Sequence, residues 1–77
     1  MTIKEHDCVL LTADLPKEGL KADDVGTVVH IHGNGVAYEV DFMTFAGKTI
    51  AVATVEASDV RQVGERDVSH VREFQSP

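Results

Sequence analysis

Apolar and polar positions alternate most regularly over residues 36–42, where Tyr38, Val40 and Phe42 share one side and Ala37, Glu39 and Asp41 the other. A period of two predicts a half-buried strand with the first set facing a core. The run before it, Gly26-Thr27-Val28-Val29-His30-Ile31-His32, is rich in β-branched residues. Gly33-Asn34-Gly35 lies between the two and offers an Asn-Gly pair suited to a type I′ hairpin turn. Matching the two faces sets Val29 and Ile31 with the core and turns Val28, His30 and His32 outward.

The rest of the chain divides into shorter pieces. Residues 7–13 form an apolar run bounded by polar residues, read as a buried strand. Pro16 and Gly19 forbid a regular element over 14–24, which leaves a long loop folded back on the body by Leu15 and Leu20. A second turn covers 43–48, and 49–55 is a third β-rich run in which Ile50 and Val52 alternate with small residues. Residues 56–63 read as one helical turn that Ser58 can cap, leading into a last short strand. Beyond Gly64 the chain turns polar. Val68, Val71 and Phe74, spaced by three, permit a helical stripe on a segment too short to be helical alone.

About five short strands are too few for a sandwich of two full sheets. A bent sheet that closes on itself removes exposed edges. The predicted architecture is therefore an all-β, small SH3-like barrel of short antiparallel strands over 1–63, with a C-terminal tail over 64–77.

Length sharpens this picture, because 77 residues make one domain whose core is marginal. The apolar share of 43% exceeds what one small barrel needs. Val28, Val36, Met43, Phe45, Val55, Val68, Val71 and Phe74 lack an obvious place in it, so some are expected to be exposed or covered by a partner, the alternative being that some cap the open ends of the barrel. A single cysteine, Cys8, excludes an internal disulfide, and with no secretory leader in view a cytoplasmic location is expected. No apolar run reaches membrane-spanning length. The formal net charge is −6 and no Lys/Arg cluster exists. Nucleic-acid affinity rests largely on neutralised phosphates, so the balance points away from it and toward basic protein surfaces.

Candidate chemistry is sparse. His30 and His32 share a strand face and could hold a metal ion with a third ligand from His6, Cys8, Glu39 or Asp41. The commoner meaning of that spacing is two solvent-facing histidines, and no metal is expected. Cys8 reads as a small, partly buried core residue rather than an activated thiol. Glu39 and Asp41 could pair for acid–base work, but on an outward face such carboxylates usually serve solubility. The glycines form no phosphate loop. The chain is expected to be no enzyme, with no catalytic residue and no cofactor.

The segments Val9-Leu10-Leu11, Leu15-Pro16-Lys17-Glu18-Gly19-Leu20, Asp24-Val25-Gly26-Thr27-Val28-Val29, Ala37-Tyr38-Glu39-Val40-Asp41-Phe42 and Thr49-Ile50-Ala51-Val52 together resemble the bacterial family catalogued as domain of unknown function 4926. The resemblance covers roughly residues 7 to 63. It implies a small β barrel and companionship with small toxin-like proteins, and it transfers no site residues. Gly26-Thr27-Val28-Val29 is also similar to the opening strand of KOW-type barrels, which usually carry the basic loops this chain lacks.

The expected function is a non-enzymatic protein-binding module, in its narrower form the neutralising partner of a toxin-like protein. Asp23, Asp24, Glu39 and Asp41 would steer a basic partner protein, with Met43 and Phe45 as apolar contacts. Self-association into a dimer or larger homo-oligomer is expected through Val68, Val71 and Phe74. The alternatives are a KOW-like nucleic-acid-binding barrel, stacking bases on Tyr38, Phe42 or Phe45, and a small metal-binding protein.

Overall fold

The computed structural model describes residues 2–75. Its strands are β1 (Cys8–Leu11), β2 (Val25–His32), β3 (Ala37–Met43), β4 (Thr49–Glu56) and β5 (Val60–Gln62). They form one antiparallel sheet in the order β4-β3-β2-β1-β5. Single turns of 3-10 helix at Pro16–Glu18 and Ala57–Asp59 are the helical elements among the described residues.

One buried cluster gathers Val9 and Leu11 from β1, Val28 from β2, Tyr38, Val40 and Phe42 from β3, Ala53 and Val55 from β4, and Val60 from β5. Both edge strands thus share one core, which a single sheet achieves only by curling. The result is a small SH3-like barrel. It does not close fully, because β4 and β5 end the sheet without pairing to each other. The expected removal of both edges is therefore corrected to a curled, open sheet, its ends joined through the turn at Ala57–Asp59.

Gly26 explains how tightly the sheet can curl. A Cβ at this buried position would lie 2.5 Å from Val40 Cγ1 and 2.9 Å from Phe42 Cδ1. No side chain fits there, so β2 passes directly over the core residues of β3. The loop before β2 is folded back as expected, with Leu15 and Leu20 bridged and Leu20 buried.

Two irregularities overturn part of the predicted facing. Val28 pairs with Val40 and His30 with Glu39, so Val29 is an extra residue in β2. Such a bulge reverses the parity of the strand. Val28 is fully buried, whereas Val29 is 42% exposed, the reverse of the expected assignment. Beyond the bulge, Ile31 faces in with Tyr38, and His30 and His32 face out, as predicted. The second irregularity sets Phe42 against Ala51 and Met43 against Thr49, leaving Ile50 as the extra residue. Ala51, Ala53 and Val55 therefore face in, and Val52 is exposed rather than a core residue.

Four smaller expectations are also corrected. Gly33 and Gly35 take positive φ but Asn34 does not, so the hairpin turns through a four-residue loop, 33–36, and not a type I′ pair. Both Gly35 and Val36 donate their N–H groups to His32 O. Ser58 lies within its 3-10 turn and caps nothing. Cys8 is exposed because Val9 and Leu11 take the inward positions of β1. Val28 and Val55, counted as surplus, belong to the core. Residues 68–75 form no helix, since the seven residues from Val68 to Phe74 are too few to offset the cost of nucleating one. The predicted tail runs to residue 77, and positions 76–77 lie outside the described residues.

Candidate functional site

The outward positions of the sheet form two rows. Cys8 pairs with Thr27, Thr27 with Asp41 and Asp41 with Val52, which sets four side chains across β1 to β4. Beside them, Leu10 stands between Val25 and Arg61. Leu10 points away from the core yet is buried, because the C-terminal tail crosses this face. A groove of about 660 Å³ runs between the tail and the sheet. Val25, Met43, Phe45 and Ile50 line one side of it, and Val68, Val71 and Phe74 the other.

Two arginine forks hold the tail down. Arg72 donates Nε to Asp24 Oδ1 at 2.8 Å and Nη2 to Asp24 Oδ2 at 2.5 Å, and Nη2 also reaches Gly19 O at 3.1 Å. The guanidinium lies 6.0 Å from the centre of the Phe74 ring. Burial opposes ionisation of Asp24, but hydrogen bonds from Arg72 and the Lys21 N–H outweigh it and hold the carboxyl below its ordinary range. Closer to β5, Arg61 donates Nη1 to Asp67 Oδ2 at 3.0 Å and Nη2 to Asp67 Oδ1 at 2.9 Å. Gly64 N adds a bond to Asp67 Oδ2 at 2.6 Å. The Arg61 fork, and then the Gly64 N–H, lower Asp67 to about 2.

These pairings leave the groove with an uneven charge. Its lining carries Asp23, Asp24, Asp41 and Asp67 against Arg61 and Arg72. Asp24 and Asp67 are matched, while Asp23 and Asp41 form no ion pair among the described residues. Asp41 Oδ1 is enclosed and has no hydrogen-bond partner. Buried carboxylate oxygens normally find a donor, and none of the described residues supplies one here.

The structure brings together most of the residues singled out from the sequence. Asp23, Asp24, Asp41, Met43 and Phe45 all line the groove, as do Val68, Val71 and Phe74. Glu39 stands apart. It accepts hydrogen bonds from Thr54 Oγ1 at 2.6 Å and from His32 Nε2 at 2.5 Å. Those bonds, Thr54's first, hold Glu39 below its ordinary pKa. His30 packs edge-on against His32 at 4.9 Å. Among the described residues no three His, Cys, Asp or Glu side chains gather as a metal site needs. Thr27, Arg61, Asp67 and Arg72 escaped the sequence reading. The parity of Asp41 across two strands could have found Thr27, but nothing local announces the arginine partners.

No helix among the described residues is long and apolar enough to cross a membrane. A family model matches residues 5–62, nearly the whole barrel, and the chain belongs to that family, described as a domain of unknown function (DUF4926). Neither the curated proteins nor the solved structures gave a match.

Proposed function

Starting from a chain of that family, we propose a non-enzymatic protein-binding module that meets a basic partner through the outer face of its sheet. The observation that carries this reading is the groove, where exposed apolar side chains surround carboxylates left without partners. Val25 is 50% and Phe45 90% exposed. Contiguous exposed apolar surface favours protein contacts, and the surplus negative charge favours a basic partner. The narrower form, neutralisation of a toxin-like protein, fits the same charge and rests on the family resemblance alone.

The charge disfavours the KOW-like reading. Tyr38 and Phe42 are core residues, which leaves Phe45 as the one aromatic of the three able to stack a base. Self-association is proposed as well, because Val68 and Val71 stay exposed beside the groove while the tail lies on its own barrel.

The test compares affinity capture by the wild-type chain and by a Met43→Ser, Phe45→Ser variant, with folding checked by circular dichroism. Basic proteins should be retained by the former and lost from the latter. Identical retention by both would move the interface off this face, and retention of nothing would defeat the reading.

A further inference from the structure

We propose that the free edge of β4 is a contact between two copies of this chain, which join their sheets strand to strand about a two-fold axis at Ala53. The inference goes beyond the groove and the tail and adds a separate contact to the self-association reading. β4 ends the sheet, paired on one side to β3 and on the other to nothing among the described residues. Ala37 pairs with Glu56, and Ala57 donates its N–H to Val36 O. Together these set the alternation of the ladder. Ala53 and Val55 direct their backbone groups at β3, while Val52 and Thr54 direct theirs away from the sheet. Such a row of unpaired N–H and C=O groups is a template for another strand.

The two edges of the sheet differ in what they offer. Short strands and edge charges discourage pairing, and β5 has both, being three residues long with Arg61 at its middle. β4 is eight residues long, and positions 49–55 hold no charged residue, proline or glycine. Its bulge at Ile50 lies toward one end and leaves the strand regular from Ala51 to Glu56.

A second copy of the same strand complements this edge. An axis at Ala53 sets Val52 opposite Thr54 of the other copy, and symmetry repeats the pair, so the outward groups of both residues bond reciprocally. The register keeps the inner faces of the two sheets on the same side. Val52, 55% exposed in the single chain, gains a neighbour across the join. Charge favours the antiparallel sense, because β4 follows Lys48 and ends at Glu56. With the bulge counted, Lys48 lies about one residue step, roughly 3.4 Å, from the position facing Glu56 of the other copy. Its flexible four-carbon stem spans that gap.

The experiment follows amide hydrogen exchange by NMR on the full-length chain at about 1 mM, with mass measured by sedimentation. The amides of Val52 and Thr54 should exchange slowly although no acceptor in their own chain serves them. Val52→Lys puts a charge on an exposed position of the edge and should weaken association at least about tenfold. It should also free the Thr54 amide while those of Val40 and Val55 stay protected. Lys48→Glu should weaken association too, and adding Glu56→Lys should restore it. Slow exchange at Thr54 that survives Val52→Lys would overturn the contact. A dimer whose Thr54 amide exchanges freely would also overturn it and leave self-association to the tail, where Val68→Ser, Val71→Ser would then give a monomer. A wild-type monomer at about 1 mM would end both. None of these results touches the capture experiment on Met43 and Phe45, so the readings fail separately.

Discussion

The inner side of the sheet buries apolar residues from all five strands and not one polar or charged side chain among the described residues. The outer side is organised in the opposite way, with an extended tail held by two arginine–aspartate forks over half-covered valines and a lone carboxylate. Apolar burial is non-directional and indifferent to pH. Charge-assisted forks are directional, titratable and screened by salt. The comparison separates a part of the molecule held by apolar burial from a part anchored by groups that titrate and are screened.

The strongest way to break the comparison is to damage the core. Phe42→Ala empties a fully packed site and should cost about 3–5 kcal/mol. That is most of the stability of a domain this small, so thermal unfolding should become broad or be lost altogether. Gly26→Ala attacks the same core from the backbone side. Its Cβ must displace Val40 and Phe42, for about 1–3 kcal/mol or more, and denaturant titration should show a lower midpoint.

Arg72→Ala tests the other region. It removes a charged fork worth about 1.5–3 kcal/mol to the tail, but the barrel makes none of its core contacts through Arg72. Limited proteolysis should cut after residue 64 while the midpoint of barrel unfolding shifts by less than the Gly26→Ala value. A matching loss of global stability would show that the tail is part of the barrel's cooperative unit.

Acid should separate the regions more gently. Asp67 has a folded-state pKa of about 2, below the unfolded value of about 3.9. A depressed pKa contributes stability that is present above the unfolded value and lost as pH falls through the folded one. Asp24 is shifted in the same direction. Between about pH 4 and pH 2 the tail amides should therefore lose hydrogen-exchange protection before those of Val40 or Val55. The smallest effect is expected for Val29→Thr. This residue is exposed at the bulge, so the change should stay within about 0.5 kcal/mol by chemical denaturation, whereas the same exchange at Val28 should cost more than 1 kcal/mol.

Light scattering addresses the proposed self-association, with a mass of at least twice 8.4 kDa expected at tens of micromolar. A monomer at that concentration would confine Val68 and Val71 to the groove of a single chain.

The parts of the fold readable from sequence were those set by local alternation or local breakers. Tyr38, Val40 and Phe42 announced a core strand, and Leu15 and Leu20 announced a folded-back loop. The bulges at Val29 and Ile50 were not readable. An extra residue among β-branched neighbours leaves composition unchanged, and only the partner strand reveals which residue is skipped. Of the candidate site, Asp41, Met43 and Phe45 could be seen because they lie at the end of one strand and the turn after it. Arg72 and Asp24 are 48 positions apart, a pairing that no periodicity encodes. The opposite error befell Cys8, placed in the core for its chemistry although its parity with Leu10 turns it outward.

The bulge in β2 also bears on chain length. If Val29 were deleted, Val28 would still face in, His30 out and Ile31 in, so every neighbour would keep its side. What would go is the local bend and extra twist that an unpaired residue gives its strand. A chain one residue shorter here would have the same inside and outside but a flatter sheet, with its edge strands drawn apart and the shared core opened between Val55 and Val60. Shape at this point is stored as length, and an alignment gap would matter there more than any substitution.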